Sequence, residues 1–229
     1  MVVCVCCGSE APSTYTHYSN EIICLQLCKC CGRIVDKYFE YDFTIVAIDL
    51  LVCKIEAYRH ILRNIAFPRL THFLFLSCIL TGFLSWICTE NFDDFDGDVI
   101  NVAVNSELYF YILLKIFLNV IFGTTLLVFS RIVKIRFTVT DIVKLLILSN
   151  LCSLIGLLMF PWKDILSAHH SHIFMFAPLL SFFCTLPTTV PSFRALANVS
   201  YVFSSIISVF SCAFVFVIES ILIKLRFVN

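Results

Sequence analysis

The spacing of apolar and polar residues changes character along the chain and predicts three kinds of element. Residues 1–34 are mixed and cysteine-rich, with one strand-like run, Glu21-Ile-Ile-Cys-Leu-Gln-Leu27, which predicts a ribbon of short strands. Residues 35–42 (VDKYFEYD) form a polar-aromatic connector. From Phe43 to Asn64 the period becomes helical. At 100° per residue, Asp49, Glu56, His60 and Arg63 share one face, and Ile48, Leu51, Ile55, Tyr58 and Leu62 share the other. Such a helix suits the bilayer interface or packing on its neighbours. Glu56 is placed to reach Arg59 and His60, and Pro68 ends the helix. Five stretches then approach the roughly 20 apolar residues that span a bilayer: 70–88, 109–130, 143–162, 173–190 and 199–223. The fourth carries Pro178, Pro187 and several threonines, which also suits a re-entrant or interfacial segment.

Composition agrees with a membrane protein. The 229 residues are 60% hydrophobic, with a mean hydropathy of +0.95 and 24 phenylalanines, where a soluble domain is nearer half apolar. Net charge is zero, and no basic block interleaved with aromatics points to nucleic acid. Charge is nevertheless unevenly placed. Arg131, Lys134 and Arg136 mark loop 131–142 as cytosolic by the positive-inside rule. Glu90, Asp93, Asp94, Asp96, Asp98 and Glu107 mark loop 89–108 as the far side. Five spans then place the N-terminus in the cytosol and the C-terminus in the lumen. Asn198-Val-Ser200, the single glycosylation sequon, falls on the cytosolic side.

Two cysteine knuckles carry the clearest chemistry: Cys4-Val-Cys-Cys-Gly8 and Cys28-Lys-Cys-Cys-Gly32. A C-x2-C turn points two thiolates at one metal, and the trailing glycine admits the positive φ that closes the turn. Two such turns supply the four soft ligands of a closed tetrahedral zinc site, at a spacing close to that of known zinc motifs. Four thiolates also suit iron. Disulfides would need an oxidising compartment, and residues 1–20 lack the basic start and apolar run of a secretory signal. Cys6, Cys24 and Cys30 are spare thiols. Only Cys4, Cys7, Cys28 and Cys31 give both knuckles the same C-x2-C-G form, and they are the expected ligands of one structural zinc. The expected fold is therefore a mainly α membrane protein. It has a zinc ribbon (1–34), a connector and amphipathic helix (35–64), and a bundle of four to five transmembrane helices (70–223).

Other polar clusters read less sharply. Asp93-Asp-Phe-Asp-Gly-Asp98 misses the EF-hand register and reads as a solvated acidic loop. His169, His170 and His172 read as part of a polar interhelical loop rather than a metal or titrating cluster. Lys115 and Glu219 sit inside predicted spans, where ionisable groups either pair or snorkel separately to the interface. No nucleophile elbow, phosphate-binding loop or H-E-x-x-H motif occurs, so no catalytic residue is expected and the chain reads as a non-enzyme.

Residues 4–64 resemble the Arv family (ACAT-related protein required for viability) of endoplasmic reticulum membrane proteins. The resemblance rests on the two C-x2-C knuckles, VDKYFEYD at Val35–Asp42 and KIEAYRHILRN at Lys54–Asn64. It implies a multi-pass protein of the endoplasmic reticulum in sterol trafficking and distribution. It further implies linked effects on sphingolipid metabolism and glycosylphosphatidylinositol anchor assembly. The partners it implies are membrane lipids, sterols among them, and lipid or anchor-synthesis enzymes. It carries over four cysteines, onto Cys4, Cys7, Cys28 and Cys31, and no catalytic residue. Two other classes compete. One is a non-transporting adaptor for such enzymes. The other is a zinc-domain membrane ubiquitin ligase, for which a RING would need eight ligands where the module offers two cysteine pairs and His17.

Overall fold

The computed structural model describes residues 2–17, 23–66, 68–89, 106–135, 137–153 and 173–228. The acidic loop, the histidine cluster and the second half of the third predicted span lie outside the described residues. The chain packs as two units, Met1–Pro68 with Pro187–Ser205, and Arg69–Leu186 with Ile206–Asn229. Residues 187–205, expected in the membrane bundle, thus pack with the cysteine-rich N-terminus.

In the first unit, strands β1 (Val2–Val3) and β2 (Glu10–Ala11) pair antiparallel, as do β3 (Tyr15–His17) and β4 (Ile23–Leu25). A 3-10 turn at Lys37–Phe39 leads into helix α1 (Phe43–Leu51). Helix α2 (Ile55–Arg59) follows and continues as a π-helical turn over His60–Asn64. The single helix expected over 43–64 is therefore two. Cys53 takes a φ of 60°, the Lys54 amide donates to Asp49 O, and the Cys53 amide donates to Leu50 O. These two bonds make a Schellman stop, with cysteine where glycine is usual.

The break resets the helical phase, so one helical wheel does not describe both halves. The predicted apolar face of α1 is in fact outward, with Ile48 and Leu51 exposed and Asp49 buried. Asp49 tolerates burial because the Tyr38 hydroxyl (2.9 Å) and Lys54 Nζ (2.6 Å) both donate to its carboxylate. The expected contacts of Glu56 are replaced as well. Glu56 pairs with Lys37, while Arg59 and His60 point into the module. Neither is Pro68 the stop, since the turn already ends at Asn64 and Ile65 is extended.

In the second unit, α3 (Leu70–Thr89), α4 (Ser106–Ile132) and α5 (Val139–Ser153) join parts of α6 (Ile173–Ala197) and α7 (Tyr201–Val228). Among the described residues, three helices are long and apolar enough to cross a membrane: Leu70–Ile87, Ser106–Ile132 and Tyr201–Arg226. They correspond to the first, second and fifth predicted spans. The fourth predicted span is one continuous helix through Pro178, Pro187 and Pro191.

Thr138 and Asp141 start α5 with a capping box, each side chain bonding the other's backbone amide. Helices α3 and α4 meet closely at Gly82, where a Cβ would lie 2.7 Å from the Ile112 Cα. The core gathers Trp86, Ile87, Tyr111, Leu114, Leu118 and Ile223. Helix α4 buries Lys115, Asn119 and Ser130 while exposing Leu113, Phe117, Val120 and Val128. Polar groups inside and apolar groups outside is the arrangement a lipid solvent imposes.

Candidate metal centre

The two knuckles fold alike because their sequences are alike. In the first, the Cys4 amide donates to Ser9 O (2.8 Å) and the Gly8 amide to Cys4 O (2.9 Å). In the second, the Cys28 amide donates to Arg33 O (2.7 Å) and the Gly32 amide to Cys28 O (2.9 Å). Gly8 and Gly32 take φ values of 80° and 69°, a region most side chains resist. A bridge between Leu27 and Ile34 closes the second knuckle as the β1–β2 pair closes the first. The Val5 amide donating to Val35 O (2.9 Å) ties them together.

This brings Cys4, Cys7, Cys28 and Cys31 together, with all four Sγ atoms within 4.8 Å of one another. Cys4 Sγ lies 3.8 Å from Cys31 Sγ, and Cys7 Sγ lies 3.6 Å from Cys28 Sγ. A tetrahedral site with zinc–sulfur bonds of about 2.3 Å sets its sulfurs about 3.8 Å apart, so the donor set and its spacing fit zinc. Cys6 lies outside the cluster, where Arg33 Nη1 donates to its sulfur (3.1 Å), and Cys24 and Cys30 are exposed.

Ser9 tunes the cluster. Its hydroxyl lies 3.0 Å from Cys7 Sγ and 3.2 Å from Cys28 Sγ. Hydrogen bonding to Ser9, with the Cys31 and Cys30 amides, lowers the Cys28 thiol to about 6. The same hydroxyl lowers Cys7, whereas burial pushes Cys4 up to about 12. Cys28 is therefore readily a thiolate near neutral pH, the form that binds metal.

A second layer of buried polar groups clamps the knuckles to α2, and sequence reasoning gave it no role. Arg59 Nη1 donates to Val5 O (3.0 Å) and Cys6 O (2.7 Å), and its Nη2 reaches Asn198 Oδ1 (3.2 Å). Asn64 Nδ2 donates to Val3 O (2.9 Å) and Asp36 Oδ2 (2.6 Å), and its Oδ1 accepts from the Val3 amide (2.9 Å). Asp36, wholly buried, also accepts from His60 Nδ1 (2.7 Å) and the Tyr38 amide (3.1 Å). Arg63 Nη2 donates to Leu196 O (3.2 Å). Asp36 and Tyr38 belong to VDKYFEYD, and Arg59, His60, Arg63 and Asn64 to KIEAYRHILRN. Those two segments, which carry the family resemblance, are the ones that grip the knuckles.

Residues 3–186, four-fifths of the chain, match the sequence profile of the Arv1-like family. The chain belongs to the Arv1-like family. Among members, it is 46% identical over 61 residues to protein ARV1 of Mus musculus, covering 27% of this chain and 23% of that one. To protein ARV1 of Homo sapiens it is 34% identical over 109 residues, covering 46% and 40%. To protein ARV1 of Saccharomyces cerevisiae it is 44% identical over 63 residues, covering 28% and 20%. The matched stretch is thus between a fifth and two-fifths of these Arv1-like relatives' own length. No solved structure matches the chain.

Proposed function

We propose that the protein maintains sterol distribution from the endoplasmic reticulum membrane, with linked effects on sphingolipids and glycosylphosphatidylinositol anchor assembly, and without catalysis. Membership of the Arv1-like family over residues 3–186 is the observation that carries this reading. A membrane-spanning composition and a thiol module suited to the reducing cytosol support it. Its N-terminus faces the cytosol, and its partners are membrane lipids and lipid or anchor-synthesis enzymes.

Cys4, Cys7, Cys28 and Cys31 would hold one structural zinc, which supplies folding free energy on the order of 10 kcal/mol to a module too small for a large core. The chain's own residues do the rest. Arg59 holds the first knuckle by its carbonyls, and Asn64 and Asp36 fix α2 against β1. The module thereby becomes one body with residues 187–205.

Deleting the gene in its host and measuring free sterol in endoplasmic reticulum and plasma membrane fractions tests the proposal. The wild-type protein restores the distribution, and Cys28→Ser does not. An unchanged distribution in the deletion strain overturns the sterol reading. The adaptor reading then stands, favoured by the apolar residues that α1 leaves open, Phe43 at 79% and Ile48 at 53% exposure with Leu51 beside them.

A further inference from the structure

Within the second unit a buried ion pair borders a cavity that the thiol module does not account for. Lys115 on α4 and Glu219 on α7 pair at 2.6 Å, with side chains only 8% and 3% exposed. Of the two readings the sequence left open, pairing is the one observed. Lys115 Nζ also donates to Ser181 Oγ on α6 (2.8 Å). An amide chain backs the pair. Asn119 Nδ2 donates to Lys115 O (2.9 Å), and Asn150 Nδ2 on α5 donates to Asn119 Oδ1 (3.0 Å) and to Ser77 Oγ (3.2 Å). The pair borders a partly open cavity of about 60 Å³. Leu118, Phe122, Phe182, Val215 and Phe216 supply its apolar lining.

Two charges are expensive to hold in the hydrocarbon region, and those retained there usually mark a site. The free valences on this pair define what it can hold. An ammonium has three donors, and among the described residues Lys115 uses one on Glu219 and one on Ser181. Glu219 is bonded through Oε1, and its second oxygen takes no hydrogen bond among the described residues. One donor and one acceptor therefore stand together.

We propose that this cavity seats the hydroxyl of an uncharged, hydroxyl-headed lipid, which accepts from Lys115 and donates to Glu219. An anionic headgroup would meet the Glu219 carboxylate, and a cationic one would meet Lys115, while an alcohol satisfies both. Size is sufficient: one water needs about 10–15 Å³ of such space, so the cavity has room for a hydroxyl and its first carbons. The apolar lining meets the rings or chains that follow. Sterols and diacylglycerols share this chemistry. The inference rests on the reading that the chain handles lipid, and names the group by which it does so.

The test uses purified full-length protein in lipid nanodiscs, labelled with a photoreactive diazirine sterol and competed by unlabelled lipids. Label is expected on α4, α6 or α7 residues lining the cavity. The free sterol should compete about ten- to a hundredfold better than its 3-O-methyl ether, the cost of leaving a charge-assisted hydrogen bond unmade. Competition by dioleoylglycerol as strong as by sterol supports a general alcohol site, and competition by sterol alone supports a sterol site. The variant Lys115→Gln with Glu219→Gln keeps size without charge and should erase the preference for alcohol over ether. Leu118→Trp, with the pair intact, should block labelling by filling the cavity. Equal competition by alcohol and ether on the wild-type protein, or label away from the residues that line the cavity, overturns the proposal whether or not the variants fold. Because the comparison uses purified protein, its failure is separate from a failure of the cellular sterol assay.

Discussion

Asp36→Ala should open the clamp between the knuckles and α2. The carboxylate is wholly buried and accepts from His60 Nδ1, Asn64 Nδ2 and the Tyr38 amide. Removing it leaves the buried His60 and Tyr38 donors without their acceptor and takes one of the two acceptors of Asn64 Nδ2. A net hydrogen bond to a charged group contributes about 1.5–3 kcal/mol, and stranding a buried partner adds its desolvation cost. An expectation of about 3 kcal/mol is thus the lower end, and corresponds to amide opening roughly a hundredfold more frequent. Hydrogen exchange by mass spectrometry on the full-length protein reads this at the Val3 amide, held by Asn64, and the Val5 amide, held by Val35. Glu56→Gln is the control, because its pair with Lys37 has both side chains about a third exposed and such a pair contributes at most about 1 kcal/mol. Exchange that rises less than tenfold in Asp36→Ala, or no more than in Glu56→Gln, would refute the clamp.

Three further expectations follow from the same contacts. Elemental analysis of the purified protein should find about one zinc per chain, lost in Cys28→Ser and kept in Cys30→Ser; equal loss in both would move the ligand register. Gly82→Ala drives a Cβ to 2.7 Å from the Ile112 Cα and should cost about 1–3 kcal/mol by forcing α3 and α4 apart, read as a lower unfolding temperature in detergent, whereas an unchanged temperature would show the helices free to separate. The hydrogen bond from Lys54, with that from Tyr38, holds the Asp49 carboxyl below its usual range. Its stabilisation is therefore complete above the ordinary carboxylate pKa and lost as pH falls through the depressed one. Unfolding temperatures measured from pH 6 to pH 3 should fall less steeply in Asp49→Asn than in wild type; equal slopes would remove Asp49 from the acid response.

The parts of the fold legible in the sequence are those fixed by neighbours in the chain. Each knuckle is a five-residue pattern whose turn, glycine and metal-facing thiols are local, so the grouping of four cysteines follows from spacing. Long apolar runs announce α3, α4 and α7 for a similar reason, since length and hydropathy suffice in lipid. What was hidden depends on partners far away in sequence. Asp49 reads only as one member of a polar helix face, because its burial needs Tyr38 and Lys54 to meet it. Asp36 is one acid in a connector, with nothing local to say that His60 and Asn64 would converge on it. Residues 187–205 read as the end of one span, a short connection and the start of the next, with nothing local to say that Arg59 and Arg63 would reach Asn198 Oδ1 and Leu196 O there.

The pairing of α4 with α7 also constrains how many times the chain crosses the bilayer. Lys115 in the first half of α4 meets Glu219 in the second half of α7, and Glu107 meets Arg226 about two turns further out. Two ion pairs in that order require the helices to be antiparallel, with the start of α4 and the end of α7 on the same side. Both helices are candidate spans. For the chain to return to its starting side between Glu107 and Arg226, the number of crossings there must be even. Helices α5 and α6 therefore either both cross or neither does. Of the expected four or five spans, four is then excluded, and the count is odd: five if α5 and α6 cross, three if they do not. A glycosylation acceptor inserted in loop 89–108 and one on a C-terminal extension should accordingly be modified together or not at all, whichever way the protein faces. Modification of one without the other would mean a four-span bundle. It would also separate Lys115 from Glu219 across the membrane, removing the ion pair and the cavity beside it.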